Sequence, residues 1–322
     1  MKSILFTILF GAGCLASYSQ SLLNTDHDKD RIRKNGVHVQ TKWKYRPGAD
    51  EGVKVLTKTF DKQGNVLQEL NFLPDGSNSS RLTYKYDSEG KKIYYQLYDF
   101  TKEPDKRITY VQNIEYNDQG YRKAEKGFDG IDEFRLEYNY LQAGKLNEVI
   151  KYNNVGEVTE RHSYAYSGQT LTIIIYGLGS NVKEKIRETY DNNRNLIEKA
   201  NLQPNNTITK LVRYKYDTQN RLIEEEEYFN GRFSFKLTYN YGTEGYISSI
   251  EKEDVDGKVF INNSYAYDQK GNLIEEKWYD GKPDDYSKKS YNYDEKDNLK
   301  EVDSYYSLYR YKVLYKYTYE FY

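Results

Sequence analysis

Acids are the residues with which this sequence could do chemistry. Glu224, Glu225, Glu226 and Glu227 stand in a row, and Asp284 and Asp285 form a second pair. Two carboxylates held at a fixed separation in a cleft hydrolyse glycosidic bonds. A strand, however, alternates its side chains between two faces, so such a run offers carboxylates to both sides and favours none. Lys and Arg on neighbouring strands would make the run a charged surface row. Bases are scarce: His27, His38 and His162 are the only histidines, and none belongs to a recurring arrangement with Ser, Asp or metal ligands. His162 follows Arg161 on a strand and is read as a surface imidazole. Asp26, Asp28 and Asp30 alternate as in a calcium loop, but the sixth and twelfth positions hold Arg31 and Val37 instead of Gly and Glu. Gly177-Leu178-Gly179 lacks the third glycine and the following helix of a nucleotide fingerprint. The expectation is a protein that is not an enzyme, with no catalytic residue, no metal and no cofactor.

Composition narrows the partners. Lys and Arg total 48 against 49 Asp and Glu, a formal net charge of -1, so no overall positive field exists for nucleic acid or anionic lipid. The chain opens with Lys2, an apolar run from Ile4 to Ala16, and Ser17-Tyr18-Ser19 as a small-x-small cleavage site. That pattern is an export signal over residues 1–19, too short for a permanent transmembrane helix. Cys14 is the only cysteine. Simple cleavage removes it and leaves no thiol for disulfides or metal, while lipidation of Cys14 is the alternative, weakened by Gly11 where Leu is usual. Residues 20–36 are polar and aperiodic, a linker to the repeat domain at 37–322.

Any functional side chain would be positioned by one recurring unit. The stretch Tyr265 to Lys282 reads YAYDQKGNLIEEKWYDGK, and its aromatic-plus-turn signature returns at Phe60, Tyr86, Tyr116, Tyr140, Tyr166, Tyr190, Tyr216, Tyr241, Tyr267 and Tyr293, usually 24 to 26 residues apart. Asp268 can accept a hydrogen bond from the backbone two residues on, and Gly271 supplies the left-handed residue closing a three-residue hairpin loop with a bulge. Gly64, Gly90, Gly120, Gly144 and Gly245 fill the same slot; Asn220 and Asp297, which tolerate positive φ, replace it elsewhere, and Arg194 does so least comfortably. A second turn, such as Asp75-Gly76 or Asn230-Gly231, follows half a repeat later. Two turns per unit mean two strands per unit.

The fold class is therefore all-β: an antiparallel meander of about ten two-stranded hairpin repeats, each roughly 26 residues, forming a long twisted or wrapped repeat sheet. Five four-stranded propeller blades are the alternative, disfavoured because odd and even units do not differ. The Tyr-x-Tyr pairs before each turn share a face and predict two aromatic rows across the sheet. Ile173 to Ile175 mark its most covered region, and the aromatic Tyr305 to Tyr322 ends it.

The run Tyr-x-Tyr-Asp-x-x-Gly-Asn-Leu-Ile-Glu-Glu at Tyr265 to Glu276 resembles the YD-repeat (rearrangement-hotspot, Rhs) family, over roughly residues 53–317. The resemblance implies a long antiparallel sheet, which in family members wraps into hollow shells, often around toxin domains, or serves cell-surface and sugar-binding proteins. Here nearly all the exported chain is repeat, with no effector domain following, and the matching positions are turn and strand positions without catalytic roles. The function expected is an exported, non-enzymatic repeat protein presenting an extended surface to an envelope protein or glycan, in the periplasm, on the outer surface or outside the cell. Its ligand-binding residues are unassigned. Ranked below it are an outer-membrane β-barrel, which an alternating aromatic C-terminal strand also fits, then a polysaccharide-acting enzyme and a toxin-associated shell fragment.

Overall fold

The computed structural model describes residues 29–281 and 285–322. The export signal, Cys14, His27, the acids at 26 and 28, and Asp284 lie outside them. Twenty-two strands run from β1 (Val37–Tyr45) to β22 (Tyr311–Phe321) in one sheet, each antiparallel to the strands before and after it. The ladder does not stop at its ends. β1 pairs with β2 (Val53–Phe60) on one side and with β22 on the other, Val39 opposite Glu320 and Tyr45 opposite Leu314.

The sheet is thus a closed barrel, and the open or wrapped ribbon expected from the repeat is corrected. β1 is the seam strand. The physical reason is the pair of edges that an open meander leaves: two rows of unpaired N–H and C=O groups, which closure removes. One continuous ladder also excludes separate propeller blades.

Both rims are built by turn chemistry. At the rim carrying the Asp turns, Asp61 Oδ1 accepts the N–H groups of Gln63 and Asn65, and Gly64 donates to the Asp61 carbonyl. The next strand starts with a register shift, so these hairpins carry a bulge, apart from the one closed through Gly168, which pairs without a shift. At the other rim, Asn230 and Gly231 have φ of 48° and 74°, which makes their hairpin a two-residue turn with both central residues left-handed.

Part of the segment read as a linker forms a helix, α1 (Lys29–Asn35). Ile32 packs with Val37 and Phe60, while Arg31 donates to the Asp297 carbonyl at 2.7 Å and to Asn272 Oδ1 at 2.8 Å. Asn35 reaches the Lys296 carbonyl and Asn298. The helix therefore bridges the Asp-turn rim across the β1–β22 seam.

The two faces of the wall differ. In β8 (Glu133–Tyr140), Phe134, Leu136 and Tyr138 are buried whereas Glu133 and Asn139 are exposed. In β7 (Arg122–Phe128), Glu125 is buried beside exposed Lys126. Side chains converge on the concave side of a closed wall and spread on its convex side, so the tyrosine face is the inner wall. Apolar clusters on it link neighbouring strands, one around Phe134, Leu136, Val149 and Ile173, another around Leu273, Tyr291 and Val302.

Candidate functional site

The predicted aromatic rows both lie on the inner wall, and each has its own hydrogen-bond partner. In most units the aromatic residue just before the Asp turn is a tyrosine that reaches the carbonyl of the first residue after the preceding Asp turn. Tyr86 donates to Val66, Tyr116 to Lys92, Tyr140 to Arg122, Tyr216 to Leu196, Tyr241 to Leu222 and Tyr293 to Leu273, at 2.7–3.0 Å. The backbone ladder runs out there: β13 (Leu196–Leu202) and β14 (Ile208–Tyr216) pair only as far as Glu198 with Arg213. A phenol thus satisfies a carbonyl that the bulge leaves over.

In four of the pairs the first tyrosine meets a carboxylate from the preceding unit. Tyr84 donates to Glu69 at 3.1 Å, Tyr138 to Glu125 at 2.6 Å, Tyr239 to Glu225 at 3.3 Å and Tyr291 to Glu276 at 2.8 Å. Glu125 also takes hydrogen bonds from Gln112 and from Arg122, the latter at 2.8 Å. In one unit the tyrosine is replaced by Glu188, fully buried and paired with Lys199 at 3.0 Å. A belt of acids lines the inner wall, each held by a phenol, amide or cation. Buried carboxylates that are paired in this way are structural members of the wall.

The glutamate run divides as alternation requires. Glu225 and Glu227 face inward, where Glu227 pairs with Lys210 at 2.7 Å; Glu224 and Glu226 face outward, where Glu224 pairs with Lys215 and Glu226 lies opposite Arg213. The run was expected as a surface row, and half of it is. His162 is half-buried on the inner wall and meets Glu160 at 2.8 Å, where a surface imidazole was expected. Among the described residues, no group of three or more His, Cys, Asp and Glu stands close enough to hold a metal ion.

The nine residues singled out for the turns all sit at the Asp-turn rim. Gly64, Gly90, Gly120, Gly144, Gly245 and Gly271 have φ between 73° and 83°, Asn220 has 60° and Asp297 has 63°. Arg194, the least comfortable occupant, has 67°. Asp268 Oδ1 accepts from Lys270 N at 2.9 Å and Asn272 N at 2.8 Å. At Asp217, the backbone N–H of Arg221, aided by its side chain, holds the carboxyl below its ordinary range despite partial desolvation.

Two features escaped the sequence reading. The tyrosine-to-carbonyl bond has a visible signal, an acceptor always twenty or so residues before its donor, but its partner is a backbone atom that no letter marks. The unit at Tyr166 closes through Gly168, at φ 57°, in a shorter turn than the Asp-x-x-Gly slot of the other units.

No protein-family model matches the chain, and no curated protein does. Among solved structures, a porin-like protein from Bacteroides uniformis ATCC 8492 is 12% identical, with TM-score 0.32, over 89% of this chain and 97% of that one. A porin-like protein from Bacteroides vulgatus ATCC 8482 is 10% identical, with TM-score 0.26, over 88% and 99%. The structure described as TcdB2-TccC3-Cdc42 is 11% identical, with TM-score 0.33, over 78% of this chain but only 19% of that one. Overlaps this loose carry no conclusion about function.

Proposed function

We propose that the chain is a non-enzymatic, exported β-barrel of the cell envelope, of the outer-membrane class. The observation that carries the reading is closure: β22 returns to β1, so the wall has no free edge. An open ribbon presenting its whole extended surface, the function first expected, loses half of that surface to the inside of the barrel. An even number of strands, next-neighbour antiparallel pairing and an aromatic final strand are all features of outer-membrane barrels. The export signal expected over residues 1–19 supplies the route.

The outer wall sets a condition on that seat. It carries Arg187–Glu198 at 3.2 Å, Arg161–Glu148 at 3.8 Å and Lys277–Glu275 at 2.7 Å. A lipid-facing Arg or Lys costs about 2–4 kcal/mol at the bilayer midplane and about 0–1 kcal/mol near the interface. These pairs therefore favour a second reading, in which the barrel stands mainly in the aqueous part of the envelope. Membranes from cells exporting the protein, washed with alkaline carbonate, separate the two. Retention, together with faster gel migration before boiling than after, is the outcome for a spanning barrel; complete release would end the spanning reading.

A further inference from the structure

The acid belt of the inner wall is broken in one unit. Glu69, Glu125, Glu225 and Glu276 each stand nine residues after the aromatic that opens their Asp turn, and Tyr95 holds that place after Tyr86. The result is a row of neighbouring rings across β4 (Asn78–Tyr86), β5 (Lys92–Asp99), β6 (Ile108–Tyr116) and β8. Tyr84 to Tyr95, Tyr95 to Tyr110 and Tyr110 to Phe134 have centroids 5.4, 5.5 and 6.1 Å apart. Gly127 of β7 makes the last step possible. It stands between Gln112 and Phe134 in the ladder, adds no side chain, and lets the Phe134 ring lie 2.9 Å from where its Cβ would be.

These rings line a cavity of about 650 Å³ that runs the height of the wall, from Lys92 and Arg122 near the Asp-turn rim to Ile131 at the other. The volume is that of a small-molecule site. A lysine stands over each end of the row, Lys92 Nζ 4.6 Å from the Tyr84 centroid and Lys151 Nζ 5.5 Å from that of Phe134. Neither lysine forms an ion pair among the described residues. Lys92 shares its strand with Tyr95, which replaces the acid, and Glu160, opposite Lys151, is held by His162 and by Lys183 at 3.1 Å. Midway along the row, the Tyr95 and Tyr110 hydroxyls make no hydrogen bond among the described residues, unlike the phenols of the belt. Asp129 is the one acid lining the cavity among the described residues; it lies at the mouth, its carboxylate taken by the N–H groups of Ile131 and Asp132.

We infer that this cavity binds an acidic oligosaccharide, with carboxylates on Lys92 and Lys151, sugar hydroxyls on the Tyr95 and Tyr110 phenols, and the apolar faces of the sugars against the aromatic row. Spacing selects the occupant. Cations at the two ends call for an elongated ligand charged at separated points, and free phenols between them call for polar groups along its length. A fatty acid has one head group, so its chain would bury one ammonium and both phenols without partners. A nucleic acid is charged at every unit and would set phosphates against the uncharged middle of the row. A peptide adds N–H donors, for which the wall, its carbonyls spent in the ladder, keeps few acceptors. Charged sugars alternating with neutral ones meet the cations, the phenols and the rings together. The inference goes beyond the envelope reading and uses the inner wall alone, so it holds whether the barrel spans the membrane or stands beside it.

The test is calorimetric titration of the purified full chain, at low salt, with a hexasaccharide of alternating glucuronate and N-acetylglucosamine. The same hexasaccharide with its carboxylates reduced to alcohols is the second ligand, and it needs no change in the protein. The acidic form should bind about tenfold or more tightly than the reduced one, and Lys92→Met with Lys151→Met should abolish that difference. Lys92→Arg with Lys151→Arg should keep it. Tyr95→Phe with Tyr110→Phe should weaken both forms by a similar factor, about threefold or more. Lys252→Met removes an inner-wall lysine that lies over Phe235, outside the cavity, and should change nothing. Equal affinity for the two forms overturns the inference, as does undiminished binding after both lysines are replaced by Met, or no binding by the wild-type chain. An equal loss on Lys252→Met would make the attraction a property of the whole wall and overturn the site. Displacement of the hexasaccharide by dodecanoate, oligoglutamate or oligothymidylate at lower concentrations than the sugar itself requires would hand the cavity to that class instead.

Discussion

At the scale of the residue, the glycine-like slot is a backbone requirement with two separable components. Gly90, at φ 79°, has nothing within 4 Å of where a Cβ would stand. Gly271, at φ 83°, would place its Cβ 2.5 Å from the Tyr246 hydroxyl, on a ring stacked against Tyr267 with centroids 4.9 Å apart. Gly90→Ala should therefore lower stability by about 1–2 kcal/mol, the left-handed penalty alone. Gly271→Ala should cost more, since Tyr246 must also leave its stack. Urea midpoints of the two variants check this, and equal shifts would show that the ring yields freely. The requirement was legible because only a few residue types tolerate positive φ. Arg194 shows the limit: its letter argues against the conformation, and Asp191, accepting from Asn193 and Asn195, holds the turn regardless.

At the scale of the element, the bulged hairpin solves a problem that its own bulge creates. The register shift after the turn leaves a carbonyl beyond the end of the backbone ladder, and the following unit's tyrosine supplies the donor. Tyr216→Phe keeps the ring and removes only the hydroxyl that Leu196 accepts at 2.9 Å. The expected cost is about 1 kcal/mol, rising toward about 3 kcal/mol if water cannot reach the carbonyl. Phe60 is the natural comparison, an aromatic at the same position with no hydroxyl to give, while the Phe60 carbonyl is itself reached by Tyr322 at 2.6 Å. A Tyr216→Phe protein with the wild-type urea midpoint would remove the hydroxyl from the account. Two aromatic rows on one face could be read from Tyr-x-Tyr spacing. What the hydroxyls do could not, because one acceptor is main chain and the other, Glu69 or Glu276, belongs to the preceding unit.

At the scale of the whole molecule, the period of the sequence reports which strand follows which and is silent on whether the last meets the first. Open and closed meanders share every local signal, from the Asp turn to the alternation of charge. The difference lies in a single additional ladder, between segments almost the full length of the chain apart. Within it, Thr41 stands opposite Thr318 and Trp43 donates to the Thr318 hydroxyl at 3.1 Å. Directly opposed residues of an antiparallel pair have Cα atoms about 4.5–5.5 Å apart, within reach of a disulfide. Thr41→Cys with Thr318→Cys, in a chain whose single native cysteine is changed to Ser, should cross-link under mild oxidation. The product, a loop spanning nearly the whole protein, would migrate faster on a non-reducing gel and slow again on reduction. In an open ribbon these positions lie at opposite ends, many strand spacings apart, and could join only between molecules. A dimer band in place of the fast monomer would therefore open the barrel, and with it the outer-membrane reading. The fast monomer, formed in proportion to the oxidant and independent of protein concentration, is the outcome that closure requires.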